Sequence, residues 1–147
     1  MKVLIALDHS PAAQEAARRA ADLLAPAGAD FLVLNVSQVP MAWVGAGGGF
    51  GAVAPLQMAA LDAETASHQR EVVVEDAEAA GLPDPEVVVR SGDVVHEICT
   101  AAIRYAVDLI VVGAQDRSLV SRLLVPSVSR SVVRAADRPV LVVPEPA

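Results

Sequence analysis

Asp108–Ser129 reads DLIVVGAQDRSLVSRLLVPSVS. Leu109–Val112 is a short apolar run rich in β-branched residues, the pattern of a strand buried on both faces, and it is expected to break at Gly113. A loop follows, and a new helix opens near Ser127, whose hydroxyl is of the type that caps helix starts. A strand that feeds a loop and then a helix N-terminus is a common anion or nucleotide site, because free backbone N–H groups and the helix dipole point at the same spot.

The same alternation of buried strand and amphipathic helix extends in both directions. Upstream, Glu86 to Arg90 forms a strand, Ser91-Gly92 a turn, and Asp93 the cap of a helix with Val95, Ile98, Cys99, Ala102, Ile103 and Ala106 inward. Downstream, a helix from about Ser127 to Ala136 leads through Pro139 into a last strand, Val140–Val143. At the start of the chain, Lys2 to Leu7 is an apolar run stopped by Asp8-His9-Ser10-Pro11. Ser10 caps the helix that follows and Pro11 suits its first turn. That helix runs to about Ala25 with small residues inward (Ala13, Ala16, Ala17, Ala20, then Leu24), so it can lie close to a sheet. Pro26 and Gly28 end it. Phe31 to Val36 is the second strand. A long helix, roughly Leu56 to Ala80, turns Met58, Leu61, Thr65, Val72 and Ala79 inward and Glu64, Glu71, Glu75 and Glu78 outward. Between them, Ser37 to Pro55 is a flexible loop (about 37–55) around AWVGAGGGFGAVAP. A loop of ~19 residues is long for a compact domain; it reads as a disordered excursion or, alternatively, as a lid in which Trp43 or Phe50 closes over a ligand or a partner subunit.

The order β-α-β-α-β-α-β-α-β, with continuous apolar strands, predicts an α/β fold: one doubly wound, five-stranded parallel sheet with helices on both faces. The chain of 147 residues suits a single domain, 1–147, with no linker and no repeat. Its aliphatic composition, 54% hydrophobic but 3% aromatic, makes the core Val, Leu, Ile and Ala. A net charge of −7 argues against general nucleic-acid binding. No apolar run reaches the ~18 residues of a membrane span. The apolar start ends at Asp8, too soon for a signal peptide, and Cys99 is the single cysteine. The expectation is a cytoplasmic protein without membrane or nucleic-acid partners. His9, His68 and His96 lack ligand spacing, so no metal is expected. Charge is uneven: Asp62 to Glu86 is acidic, whereas arginines gather between Thr100 and Arg138, either as scattered surface charges or as a weak anion-attracting field near the 113–130 loop.

Three stretches together resemble the universal stress protein family: ALDHSP at Ala6–Pro11, the Gly92-Asp93 pair, and DLIVVGAQDRSLVSRLLVPSVSRSVVRAADRPVLVV at 108–143. The resemblance covers nearly the whole chain. It implies a sheet of order 3-2-1-4-5 and a homodimer paired through the last strand, Val140–Val143. The apolar, uncharged character of that strand agrees, since an exposed edge of this kind invites pairing.

Some members of that family bind ATP through Gly, two residues, Gly, nine residues, Gly, then Ser or Thr. Here Gly113 and Ser127 match, but Asp116 and Pro126 stand where the second and third glycines belong. Pro126 supplies no N–H. A carboxylate at Asp116 some 4–6 Å from a phosphate costs roughly 3–4 kcal/mol per charge pair before screening at an effective dielectric of ~20, which is ~100-fold or more in affinity. Arg117 offsets part of this. The adenosine end has better material: Ala6, Asp8, Val36 and Val112, with Gly113, Ser127 and Val128 toward the phosphates, resemble the family's nucleotide-contacting positions. No cofactor is established by the sequence; ATP or AMP is the candidate ligand. No catalytic residues are expected, because Asp8 and Ser10 have no histidine partner for nucleophilic chemistry. The expectation is therefore a dimeric stress-response regulatory protein that is not an enzyme and binds ATP weakly or not at all, with an ATP/AMP sensor as the alternative.

Overall fold

The structure, a computed structural model, describes residues 1–38, 55–115 and 127–146, with the helical path alone for 55–62. Its elements are β1 (Lys2–Ala6), α1 (Pro11–Leu24), β2 (Asp30–Ser37), α2 (Pro55–Ala79), β3 (Glu86–Ser91), α3 (Val94–Arg104), β4 (Leu109–Ala114), α4 (Val128–Ala135) and β5 (Val140–Pro144). A 3-10 turn, Ala25–Ala27, closes α1, and Gly28 leaves it at φ 74°, a conformation glycine adopts without strain.

The five strands form one sheet of order β3-β2-β1-β4-β5, and every pair is parallel. This is the expected topology. Period-two alternation splits the strands between two cores. Val3, Ile5, Phe31, Val33 and Val111 pack under α1 and α2. Leu4, Leu32, Leu34, Ile110 and Val112 pack under α3 and α4. The first two crossovers thus run over one face and the last two over the other. The chain reverses direction across the sheet between β1 and β4, and a crevice opens there at the carboxyl ends of the strands.

Several helix details depart from expectation. The buried face of α3 is Ile98, Ala101 and Ala102, and Ile103 is 62% exposed. A helix turns ~100° per residue, so Ile103 sits well off the stripe through Ile98 and Ala102. Ala106 lies beyond the helix at φ 49° and is exposed. Among the described side chains of α2, Val73 and Ala77 are buried, while Thr65 and Ala79 are exposed and Val72 is half-buried. The outward glutamates, Glu64, Glu71, Glu75 and Glu78, are exposed as expected. Ser37 and Pro55 belong to β2 and α2 rather than to the loop between them. Trp43, Phe50 and the Gly45–Gly51 run lie outside the described residues, as do the side chains of Met58 and Leu61.

Strand β4 does not break at Gly113. It runs on to Ala114, with Gly113 opposite Val143 and Ala114 opposite Pro144 of β5. The glycine is required for another reason. A Cβ there would meet the backbone carbonyl of Ala12 and stand 2.7 Å from the Ala13 nitrogen. The absence of a side chain lets the first turn of α1 lie directly on β4, which tightens the sheet–helix packing beside the crevice.

Candidate functional site

Each wall of the crevice follows from local sequence. Strand alternation turns Ala6, Leu34, Val36 and Val112 toward α3 and α4. Beyond β1 the chain leaves the sheet through Leu7, Asp8 and Ser10, because Ser10 caps α1: its hydroxyl accepts from Ala13 N at 3.2 Å. Asp93 caps α3 in the same way, accepting from His96 N at 2.8 Å. Ser127 caps α4 by accepting from Arg130 N at 3.2 Å. Both α3 and α4 therefore start at the carboxyl edge of the sheet, with Val94 and Val128 at the crevice.

Among the described residues the crevice encloses about 240 Å³, with Ala6, Leu34, Val36 and Val112 as an apolar floor and Val94, Ile98 and Val128 on the helix side. Asp8, Ser10, Gln38 and Gly113 stand at its rim. The structure thus brings together six of the sequence-derived candidates: Ala6, Asp8, Val36, Val112, Gly113 and Val128. Ser127 adjoins them as the α4 cap and lies 3.3 Å, oxygen to oxygen, from the buried Ser129 hydroxyl. Asp116, Arg117 and Pro126, on which the phosphate argument turned, lie outside the described residues.

The rim is pre-shaped by hydrogen bonds. One Asp8 carboxylate oxygen accepts from Ser10 N at 2.9 Å and from the Ser10 hydroxyl. Ser10 is thereby held as a cap and a carboxylate partner. His9 turns away from the crevice and places Nδ1 2.9 Å from an Asp76 oxygen on α2. Cys99 is half-buried on α3. Burial pushes its thiol above the usual range, and the Asp137 charge adds to this, which disfavours the thiolate.

Sequence reading missed one group. Asn35 of β2 is 3% exposed. Its amide donates to the Leu7 carbonyl at 2.8 Å and its oxygen accepts from Gln69 Nε2 at 2.6 Å. Ser37 donates to Gln69 Oε1 at 2.8 Å. An asparagine at an apolar position of an otherwise buried strand was the available signal.

Residues 1–144 match the model of the universal stress protein family. Among solved structures, one described as a universal stress protein in complex with cAMP aligns at 22% identity, TM-score 0.66, over 99% of this chain and 98% of that one. A universal stress family protein from Arabidopsis thaliana with AMP bound aligns at 21% identity, TM-score 0.62, over 100% and 93%. A universal stress protein from Lactobacillus plantarum aligns at 23% identity, TM-score 0.60, over 97% of each chain. At such identities the likeness is one of fold. No curated protein matches the sequence.

Proposed function

Because this chain belongs to the universal stress protein family, we propose that it is a non-enzymatic, dimeric stress-response regulator whose β1/β4 crevice takes the adenosine end of a small adenine nucleotide and holds a triphosphate poorly. The observation that carries this reading is the crevice itself: an apolar floor with Asp8 at its rim, at the switch point of a doubly wound sheet. Among the described residues its volume is about 240 Å³, close to the ~300–1,000 Å³ range of small-molecule sites. The floor offers dispersion contact to a base, and the carboxylate of Asp8 can accept from ribose hydroxyls. That two neighbours of the same fold carry cAMP and AMP supports the ligand class. The poor fit to triphosphate rests on Asp116 and Pro126 in the sequence.

The non-enzymatic part draws support from Ser10 and His9. The serine hydroxyl is occupied by capping and by Asp8, and the imidazole faces Asp76. The dimer draws support from β5, which pairs only with β4 among the described residues and leaves its other ladder edge open. Val142 is 37% exposed there, whereas Val143 is buried. Val142→Asp therefore charges the edge with little harm to the core and is expected to give a folded monomer by sedimentation. A stable dimer from that variant would rule out pairing through β5. For the ligand, titrating adenosine into protein with labelled valine methyls should move Val36, Val112 and Val128 together. Shifts confined to residues away from the crevice would reject this site.

A further inference from the structure

The polar chain from Leu7 through the buried Asn35 to the half-buried Gln69 lies beside the crevice, and none of its side chains is accounted for by strand or helix formation. Strand β1 ends at Ala6, and Leu7 N still bonds Leu34 O at 2.9 Å. The Leu7 carbonyl receives its bond from the Asn35 side chain instead. Asn35 is in turn held by Gln69, which also takes the Ser37 hydroxyl. A second tie reaches the same lip two residues on, where His9 meets Asp76. Gln69 and Asp76 are seven residues apart, two helical turns, and so lie on one face of α2 with Val73 between them. Leu7, Asp8 and Ser10 all line the crevice.

We propose that Asn35 and Gln69 are positioning residues: with the His9–Asp76 pair they clamp the Leu7–Ser10 lip onto α2, so that α2 sets where Asp8 and Ser10 stand. A buried carbonyl left without a donor is costly, so loss of the Asn35 bond releases the lip rather than leaving it in place. The consequence is reciprocal. A ligand that fixes Asp8 tightens the lip on α2, and the stability of α2 docking feeds back on ligand affinity, as linkage requires. The link to ligand rests on the nucleotide reading above; the clamp itself does not.

The test is amide hydrogen exchange on the full chain without ligand, comparing wild type with Gln69→Leu and with Gln69→Leu/Asp76→Ala. Exchange at the Leu7 and Ser10 amides is expected to rise about tenfold in the single variant and further in the double, with Ile5 and Val111 unchanged. Unchanged exchange at Leu7 and Ser10, or an equal rise at Ile5 and Val111, overturns the clamp. If Gln69→Leu is insoluble, Gln69→Glu, which also removes the donor to Asn35, carries the same comparison. A second arm measures adenosine affinity, expected to fall about fivefold in Gln69→Leu. Wild-type protein that ignores adenosine overturns the nucleotide reading and the link but leaves the exchange result to decide the clamp. Wild-type binding with no loss in the variant overturns the link alone.

Discussion

The two ends of the sheet use similar side chains in opposite ways. At the amino end, charged groups are spent on the chain itself. The Lys2 backbone N–H donates to Asp108 at 2.8 Å, and its ammonium lies 3.2 Å from Glu86 and 5.4 Å from the centre of the Tyr105 ring. Arg138 donates to the carbonyls of Ala102 and Val107, each at 2.7 Å, which closes the end of α3. At the carboxyl end, Asp8, Ser10 and Gln38 stand around a crevice with an apolar floor among the described residues, and α1, α3 and α4 begin there. Among the described residues, one end is closed by these bonds and the other forms a crevice. The difference teaches where to look for function in a fold whose core is uniformly aliphatic.

Substitutions at the two ends should therefore separate stability from binding. The largest effect crosses the divide. Gly113→Ala drives a methyl into the Ala12 backbone, which is expected to cost about 3 kcal/mol, a fall in Tm of roughly 6–12 °C for a domain of this size. A variant as stable as wild type would show that α1 need not lie so close, and would return Gly113 to a purely ligand-facing role. Next, Arg138→Ala removes the charged donor from the Val107 carbonyl and leaves the Ala102 carbonyl with the Val107 N–H alone, and should cost about 2 kcal/mol in denaturant unfolding, with adenosine affinity unchanged. A parallel loss of affinity would mean that the ends are coupled.

Asp8→Ala should do the reverse: about tenfold weaker adenosine binding, roughly 1.4 kcal/mol, with a small change in Tm. The finest prediction concerns neither end but α1 between them. Hydrogen bonds from Arg18 and then Arg19 hold the Glu15 carboxyl below the usual glutamate range. A carboxyl whose folded pKa is depressed stabilises above its unfolded pKa and loses that contribution as pH falls through the folded value. Glu15→Gln should thus be less stable than wild type at pH 7. The gap should close as pH drops below about 4.3, the ordinary glutamate value. A constant gap across that window would show that the Arg18 and Arg19 bonds matter through packing alone.

The topology was legible because it is written in local patterns: strand runs, helix caps at Ser10, Asp93 and Ser127, and three stretches resembling one family. Six candidates chosen from sequence meet at one crevice for the same reason, since strand ends and helix starts define it. What sequence hid was of two kinds. Helix faces were misjudged where several phases were all apolar or small, as at Ile103 and Ala79, because periodicity then fixes no single stripe. The other kind is long-range polar pairing. Asn35 to Leu7, Gln69 to Asn35 and Arg138 to Ala102 join residues 28, 34 and 36 apart, and no local spacing announces them. Gly113 combined both: its position was marked, but the reason for it, the backbone of α1, appears only in three dimensions.

The deciding measurement is calorimetric titration of the purified protein with adenosine, AMP and ATP, with and without Mg²⁺. A nucleoside crevice with a poor phosphate end predicts heat from adenosine and AMP, and ATP weaker by ~100-fold whether or not the metal is present. ATP binding tighter than adenosine would contradict it and show that the chain between β4 and α4 rebuilds an anion site around Asp116 and Pro126.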